Sequence, residues 1–377
     1  MREIGMAMDG PRDATDPALW YAASFAGPTD YEITLSDADR QEILAAPAVR
    51  SREPVREIAS LTKADFGFGA LAAKLTDAYR EVRDGRGFTV LRGLPYDGLT
   101  VEQFAAAVWG IGLHFGAALS QNAQGERITH AVDATAEDPT PRMYRSNMEL
   151  RLHTDITAMI ALACWHKAQT GGVSVITSGV TVHDEIRRRA PHLLEPLYRG
   201  FHYHRLGEEG PDEAPVTPYR VPVFARRDGP GGVEQVSVRY LRSGIVGGHR
   251  AAGVALTPLE LEAMDLFDAI ARAQENRLAF YLERGDMFVL NNYTVMHART
   301  GFTNFPEPAR KRLLVRLWLD QAGFRDVPEE FKFFATNGVP KQIGKRATYD
   351  FKKLYADDPQ ATGGLPNLQL DDTAVAR

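Results

Sequence analysis

His153-Thr154-Asp155 places an imidazole and a carboxylate two residues apart. On an extended strand such neighbours point to the same face, where both can reach one ion. A third donor has to come from elsewhere in the chain, and His297 is the best placed. Gly285-Asp286 makes a turn, Met287 to Leu290 a buried strand, and Asn291-Asn292 a second turn that is expected to present His297 at the end of a sheet. Two imidazoles and one carboxylate on one side of a metal ion leave three positions for exchangeable ligands, so the chemistry open to this set is activation of small molecules at the metal. With ten histidines and 49 acidic residues in 377, a His-x-acid pair also arises by chance, and a second one, His183 with Glu185, is present. It begins a helical run in which a spacing of two separates side chains, and it reads as surface.

Downstream of His297 come Arg299 and then Arg310-Lys311-Arg312-Leu313-Leu314-Val315-Arg316-Leu317-Trp318-Leu319-Asp320. Strand parity puts Arg312 and Arg316 on one face and Leu313, Val315, Leu317 and Leu319 on the other. If the arginine face lines a cavity, a fixed guanidinium fork binds a carboxylate through two hydrogen bonds. The alternative is a solvent-facing edge strand.

The elements that must position these residues follow from the periodicity. Residues 36 to 48, 69 to 84 and 100 to 113 carry helical patterns, the last with Thr100 as its cap, and Phe88 to Leu91 reads as a short strand. From about residue 150 the texture changes to short β-branched segments: Ile156–Leu162, Val173–Thr177, Arg220–Phe224, Gln235–Tyr240, Met287–Leu290 and Leu313–Leu319. Strands at this spacing suggest a sandwich or barrel. Helical insertions at 180 to 199 and 258 to 277 interrupt them, and the apolar face of the second could serve as an interface between copies of the chain. Residues 1–30 and 356–377 are rich in Gly, Pro and polar residues and read as an arm and a tail, leaving residues 31–355 as a single domain with its core at about 85–321.

The series His153-Thr154-Asp155, Gly171-Gly172-Val173-Ser174, Asn291-Asn292 through His297-Ala298-Arg299-Thr300-Gly301-Phe302, and Lys311-Arg312-Leu313-Leu314-Val315-Arg316 resembles the taurine dioxygenase/TfdA-like branch of iron(II)- and 2-oxoglutarate-dependent oxygenases, which includes clavaminate synthase-like enzymes. The match in order and spacing runs from about residue 85 to residue 321. The resemblance implies a mainly β fold with helices, a double-stranded β-helix (jelly roll) core clad by helices. It implies iron(II) held by His153, Asp155 and His297, with 2-oxoglutarate and dioxygen as cosubstrates. It implies Arg312 as the partner of the distal carboxylate of 2-oxoglutarate, with Ser174 standing where the family usually has threonine after its Gly-Gly pair, and Arg316 as a second arginine near the cosubstrate or substrate. The activity implied is hydroxylation of an unactivated C–H bond of a small organic molecule, with release of succinate and carbon dioxide.

Other constellations compete. His202-Tyr203-His204 with Glu208 resembles the first metal motif of cupins, although neither Pro196 nor Pro215 is followed by the glycine that a second cupin motif needs. A jelly roll equally serves as a non-catalytic binding module, and in that alternative the histidines are packing residues. Gly229-Pro230-Gly231-Gly232 lacks the lysine of a phosphate loop and reads as a hairpin turn. Cys164 lies in an apolar run and reads as a buried, inert thiol.

Composition bounds the partners. Forty-four basic against 49 acidic side chains give a net charge of -5, which argues against a nucleic-acid partner because neutralising phosphates wants a basic face. One cysteine fits a reducing, cytoplasmic setting, and no apolar run reaches the ~20 residues that span a bilayer. The expected partner is a small molecule. Surplus arginine suits an anionic one, with Arg299 and Asn147 as the residues expected to meet it.

Overall fold

The apolar runs form two main sheets, with two further two-stranded pairs, in the computed structural model of the chain, which describes residues 16–51, 58–138, 141–229, 232–342, 344, 358–370 and 375–376. The strands are β1 (Glu32–Thr34), β2 (Phe88–Arg92), β3 (Ala117–Ala118), β4 (Thr129–Val132), β5 (Leu150–His153), β6 (Met159–His166), β7 (Thr170–Gly171) and β8 (Ser174–Ser178). They continue with β9 (Phe224–Asp228), β10 (Glu234–Val238), β11 (Arg277–Phe280), β12 (Met287–Asn291), β13 (Val295–Arg299), β14 (Phe302–Thr303), β15 (Leu313–Asp320) and β16 (Val375–Ala376). The larger sheet runs β1-β2-β12-β6-β15-β3, with β4 also on β15; the smaller runs β16-β11-β8-β13-β5. Pairing is antiparallel except at β1–β2 and β11–β16. This is the mixed, helix-clad β core expected of a jelly roll.

The two faces of the larger sheet divide the core. Phe288 of the larger sheet meets Phe280 of the smaller at 5.2 Å between ring centroids, and Ile160, Leu314 and Trp318 belong to the same buried cluster, so the sheets bury each other's inner faces. Val315, Leu317 and Leu319 face the opposite way, onto Phe104, Val108 and Ile111 of the helix Val101–Gly112. That helix starts where expected, with Thr100 Oγ1 accepting from the Gln103 N–H and the Gln103 side chain accepting from the Thr100 N–H, a reciprocal cap. No helix among the described residues is long and apolar enough to cross a membrane.

Several expectations need correction. The strand expected at Ile156–Leu162 is β6, starting at Met159, and the one expected at Arg220–Phe224 is β9, starting at Phe224. A helix at Arg242–Ala252 went unforeseen, because Gly244, Gly247 and Gly248 depress helix propensity. Gly248 is there for proximity: a Cβ on it would lie 2.3 Å from the carbonyl oxygen of His202. The helix Pro258–Arg272 turns Ala263, Met264, Phe267, Ile270 and Ala271 into the core, so the apolar face expected at an interface is already covered. His183 and Glu185 are buried rather than surface residues.

The chain ends also differ from a free arm and tail where they are described. Ala18 and Trp20 are buried, as are Ala361 and Leu368, and β16 pairs with β11. Residues 1–15, 356–357, 371–374 and 377 of the expected arm and tail, and Pro230-Gly231 of the glycine turn joining β9 to β10, lie outside the described residues.

Candidate functional site

Three neighbouring elements bring the metal-ligating set together. β5 ends on His153 and pairs with β13 so that His153 lies directly opposite His297; the ring centroids are 4.3 Å apart. Asp155 lies just beyond β5 rather than on the strand, and its Oδ1 comes to 3.6 Å from His153 Nε2. One donor atom from each of His153, Asp155 and His297 falls within 4.8 Å of the others, and among the described residues this is the one such cluster found. His297 is not at a sheet end. It sits in the middle of β13 between β5 and β8, because β12 and β13 belong to different sheets and Asn292–Thr294 carries the chain across.

The protonation states suit a cation. His153 Nδ1 is 2.8 Å from the Arg151 carbonyl oxygen, so Nδ1 carries the proton and the Nε2 lone pair faces the cluster. Burial, reinforced by neighbouring His153, pushes His297 down to about 3, keeping it neutral, and its Nδ1 is buried without a hydrogen-bond partner. Burial alone would raise the Asp155 carboxyl, but the contact with His153 and the charge of Arg316 work against it, and the group is held well below the usual carboxylate range. Two imidazoles and one carboxylate fit a divalent metal.

The cluster lines a cavity of about 110 Å³ that also receives Ser174, Arg299, Arg312 and Arg316. Arg312 and Arg316 therefore face inward, with Val315 and Leu317 on the opposite face, as strand parity requires. Burial lowers Arg312 to about 10, which leaves it charged at neutral pH. Arg316 is fixed by Nε donating to Gln121 Oε1 at 2.8 Å, with Thr129 Oγ1 at 3.3 Å, and its guanidinium lies 3.8 Å from the Tyr144 ring centroid. Ser174 opens β8 opposite Arg299. The turn that delivers it needs Gly171 at φ +69°, where a Cβ would meet the Gly301 carbonyl oxygen at 2.1 Å.

Arg299 and Arg312 flank one ring, Phe302, at 4.6 and 5.0 Å. Arg299 also donates through Nη2 to the Met148 carbonyl. Arg299 thus lies beside Arg312. Asn147 is exposed and does not line the cavity; its carbonyl accepts from the Phe302 N–H at 3.0 Å. Its backbone anchors a loop.

The rival constellations do not assemble. His204 Nδ1 accepts from the Leu206 N–H at 2.8 Å, His202 Nδ1 is 3.2 Å from the Thr217 carbonyl, and Glu208 pairs with Arg142 at 2.5 Å. His183 Nε2 meets Tyr198 Oη at 2.5 Å inside the core. Cys164 is buried, and burial pushes its thiol up to about 12. Residue reading missed Arg142 and Trp318, both of which line the cavity. Trp318 was within reach, since it shares strand parity with Arg312 and Arg316; Arg142 carried no such signal.

A helix-clad double-stranded β-helix with a facial two-histidine, one-carboxylate cluster inside it defines a non-haem iron(II) oxygenase dependent on 2-oxoglutarate and acting on a small organic substrate. Residues 54–318 match the model of the taurine catabolism dioxygenase TauD, TfdA family, and the chain belongs to that family. It is 29% identical over 323 residues to FR-33289 synthase of Streptomyces rubellomurinus, covering 84% of this chain and 93% of that protein. It is 25% identical over 358 residues to the taurine hydroxylase-like protein SAT17 of Stachybotrys chartarum, covering 91% and 88%. Among solved structures, an asparagine oxygenase with Fe(II), 2S,3S-3-hydroxyasparagine and succinate aligns with a TM-score of 0.56 at 17% identity, covering 77% of this chain and 93% of that one. The oxygenase OrfP with (3S)-hydroxy-L-Arg aligns with the same TM-score at 12% identity, again covering 77% and 93%. These two likenesses are of fold.

Proposed function

We propose that the enzyme hydroxylates an unactivated C–H bond of a small anionic molecule, with His153, Asp155 and His297 holding iron(II) and Arg312 and Ser174 holding the distal carboxylate of 2-oxoglutarate. The observation that carries this reading is the meeting of the three donors within 4.8 Å in the same cavity as a buried arginine and serine. When bound, iron and 2-oxoglutarate would activate dioxygen, which supplies one oxygen atom to the C–H bond and the other to succinate, with carbon dioxide released.

The protein's own residues supply placement. Arg312 neutralises the far end of the cosubstrate and sets its register against the ligands. Arg299 lies beside it across Phe302 and adds positive potential at that end, so its assigned role moves from substrate to cosubstrate. Arg316, clamped by Gln121 and Thr129, cannot swing away when a ligand enters. The outer wall is made by Met143, Leu150, Leu206 and Leu241, which excludes water from the reacting carbon.

Charge supports an anionic substrate. Arg142, Arg299, Arg312 and Arg316 line the cavity against the single carboxylate Asp155, and among the described residues only Arg142 of these four forms an ion pair outside the lining, with Glu208. Iron adds two positive charges and 2-oxoglutarate removes two, so the surplus persists in the loaded site. Taurine, named for the family and for SAT17, is a sulfonate, which agrees with this class. The test is 2-oxoglutarate consumption under iron(II) and ascorbate with a panel of phosphonates, sulfonates, carboxylates and quaternary amines, read alongside succinate formation. Turnover of an anionic member is expected; turnover confined to the quaternary amines would overturn the charge reading, and no coupled succinate with any member would overturn the hydroxylase reading.

A further inference from the structure

Asp155 is held by three contacts that act on different atoms. Its N–H donates to Asn292 Oδ1 at 3.1 Å, and its carbonyl accepts from Nη1 of the buried Arg239. Those two fix the backbone. The third, from Trp318 Nε1 to Asp155 Oδ2 at 2.8 Å, is the one that acts on rotation of the carboxylate. The other oxygen, Oδ1, is the one that faces His153 Nε2.

We propose that Trp318 is a positioning residue that reserves Oδ2 of Asp155 for its indole and leaves Oδ1 alone to face the metal. The carboxylate then ligates through one oxygen, and the remaining positions stay free for 2-oxoglutarate and dioxygen. This rests on the reading of His153, Asp155 and His297 as metal ligands.

Trp318 is built into place without help from any ligand. It lies within β15 opposite Ile160 of β6, and its carbonyl accepts from the Leu119 N–H at 2.8 Å. Its side chain is buried, and the Arg316 guanidinium lies 5.2 Å from its ring. A neutral N–H donating to an ionised carboxylate makes a charge-assisted hydrogen bond, stronger than a neutral pair. Groups of this kind behind a metal ligand set its orientation, and their loss typically costs about 10- to 100-fold in metal affinity or activity. Without the indole N–H, Oδ2 is a buried charged oxygen lacking its donor, and the strongest replacement within reach is the metal itself. Chelation through both oxygens would then consume a position that the cosubstrates need.

The test compares the full-length wild type with Trp318→Phe and with a protein carrying 3-benzothienylalanine at position 318. The second keeps the bicyclic shape and replaces only the N–H, so it reports even where the phenylalanine protein folds poorly. Mn(II) is the probe, followed anaerobically by the electron paramagnetic resonance of the free ion, and metal-minus-apo infrared difference spectra report the splitting of the ligating carboxylate stretches. Both replacements are expected to weaken Mn(II) binding about 10- to 100-fold and to narrow the carboxylate splitting from a one-oxygen to a two-oxygen pattern. An unchanged splitting in the benzothienyl protein overturns the proposal, whatever the affinity does. Failure of the wild type to bind Mn(II) would instead remove the ligand assignment on which the proposal stands.

Discussion

His153 and His297 each supply one nitrogen to a three-donor set, and neither has a neighbouring histidine, cysteine or acid to replace it in the one cluster found among the described residues. His153→Ala or His297→Ala is therefore expected to reduce substrate-coupled succinate formation to background; full turnover in either variant would refute the oxygenase assignment of the cluster. Arg312 is a different case because it acts on one end of a cosubstrate. Arg312→Lys keeps the charge and loses the planar fork, so one charge-assisted hydrogen bond disappears and KM for 2-oxoglutarate is expected to rise about 10- to 100-fold. A titration of 2-oxoglutarate at fixed substrate reads this directly. His183 makes a stability prediction. Burial, then the field of Arg226, lowers it from 6.5 to about 3. The unfolded chain takes up that proton first as pH falls, so stability is full above about 6.5 and is lost progressively towards about 3. His183→Phe, placed among Tyr198 and Phe224, is expected to lose less stability than wild type between pH 6.5 and 4.5 in urea denaturation.

The elements fix where these side chains point. β15 separates an inner face, Leu314, Arg316 and Trp318, from an outer one, Val315, Leu317 and Leu319, and this was legible because a period of two admits one assignment once the apolar residues are placed. The metal pair was only half legible. His153-Thr154-Asp155 gave the pairing of residue types, but the convergence arises from a strand end and the turn after it, not from two positions on one strand. The loop before β8 is the most demanding local structure in the site. Gly171→Ala would force a side chain into a left-handed backbone and against the Gly301 carbonyl. It is expected to destabilise the fold by more than about 1 kcal/mol and to raise KM for 2-oxoglutarate through Ser174, measured by denaturation and by steady-state kinetics on the same preparation.

At the scale of the molecule, the C-terminal segment closes the smaller sheet and braces the metal-bearing strand. Leu368 N–H donates to Glu149 Oε2 at 2.6 Å, and Arg151 donates to the carbonyls of Thr362 and Leu365 at 3.4 and 2.9 Å. Glu149 and Arg151 sit just before and within β5, which ends on His153. Removing residues 358–377 takes Ala361 and Leu368 out of the core, uncovers Val246 and frees β5, so the truncated protein is expected to melt below wild type and to bind Mn(II) more weakly. Scanning calorimetry with and without the metal distinguishes the two effects, because a ligand of the native state raises the melting temperature only as far as it binds. Composition hid this brace: Pro, Gly and polar residues mark a segment without regular structure, and they do not say whether its few apolar side chains find a core.

The sequence by itself determined the residue types, their order and the face on which each strand residue lies, since these depend on local periodicity and on the chemistry of imidazole, carboxylate and guanidinium. It therefore yielded the three candidate metal ligands, the shared face of Arg312 and Arg316, and the β-rich core. Only the tertiary structure decided what those residues touch: the indole of Trp318 on Asp155, Arg299 beside Arg312, Asn147 at the surface, and the buried ends of the chain. Contacts between residues far apart are set by which sheets face each other and how strands cross between them, and no local pattern carries that information.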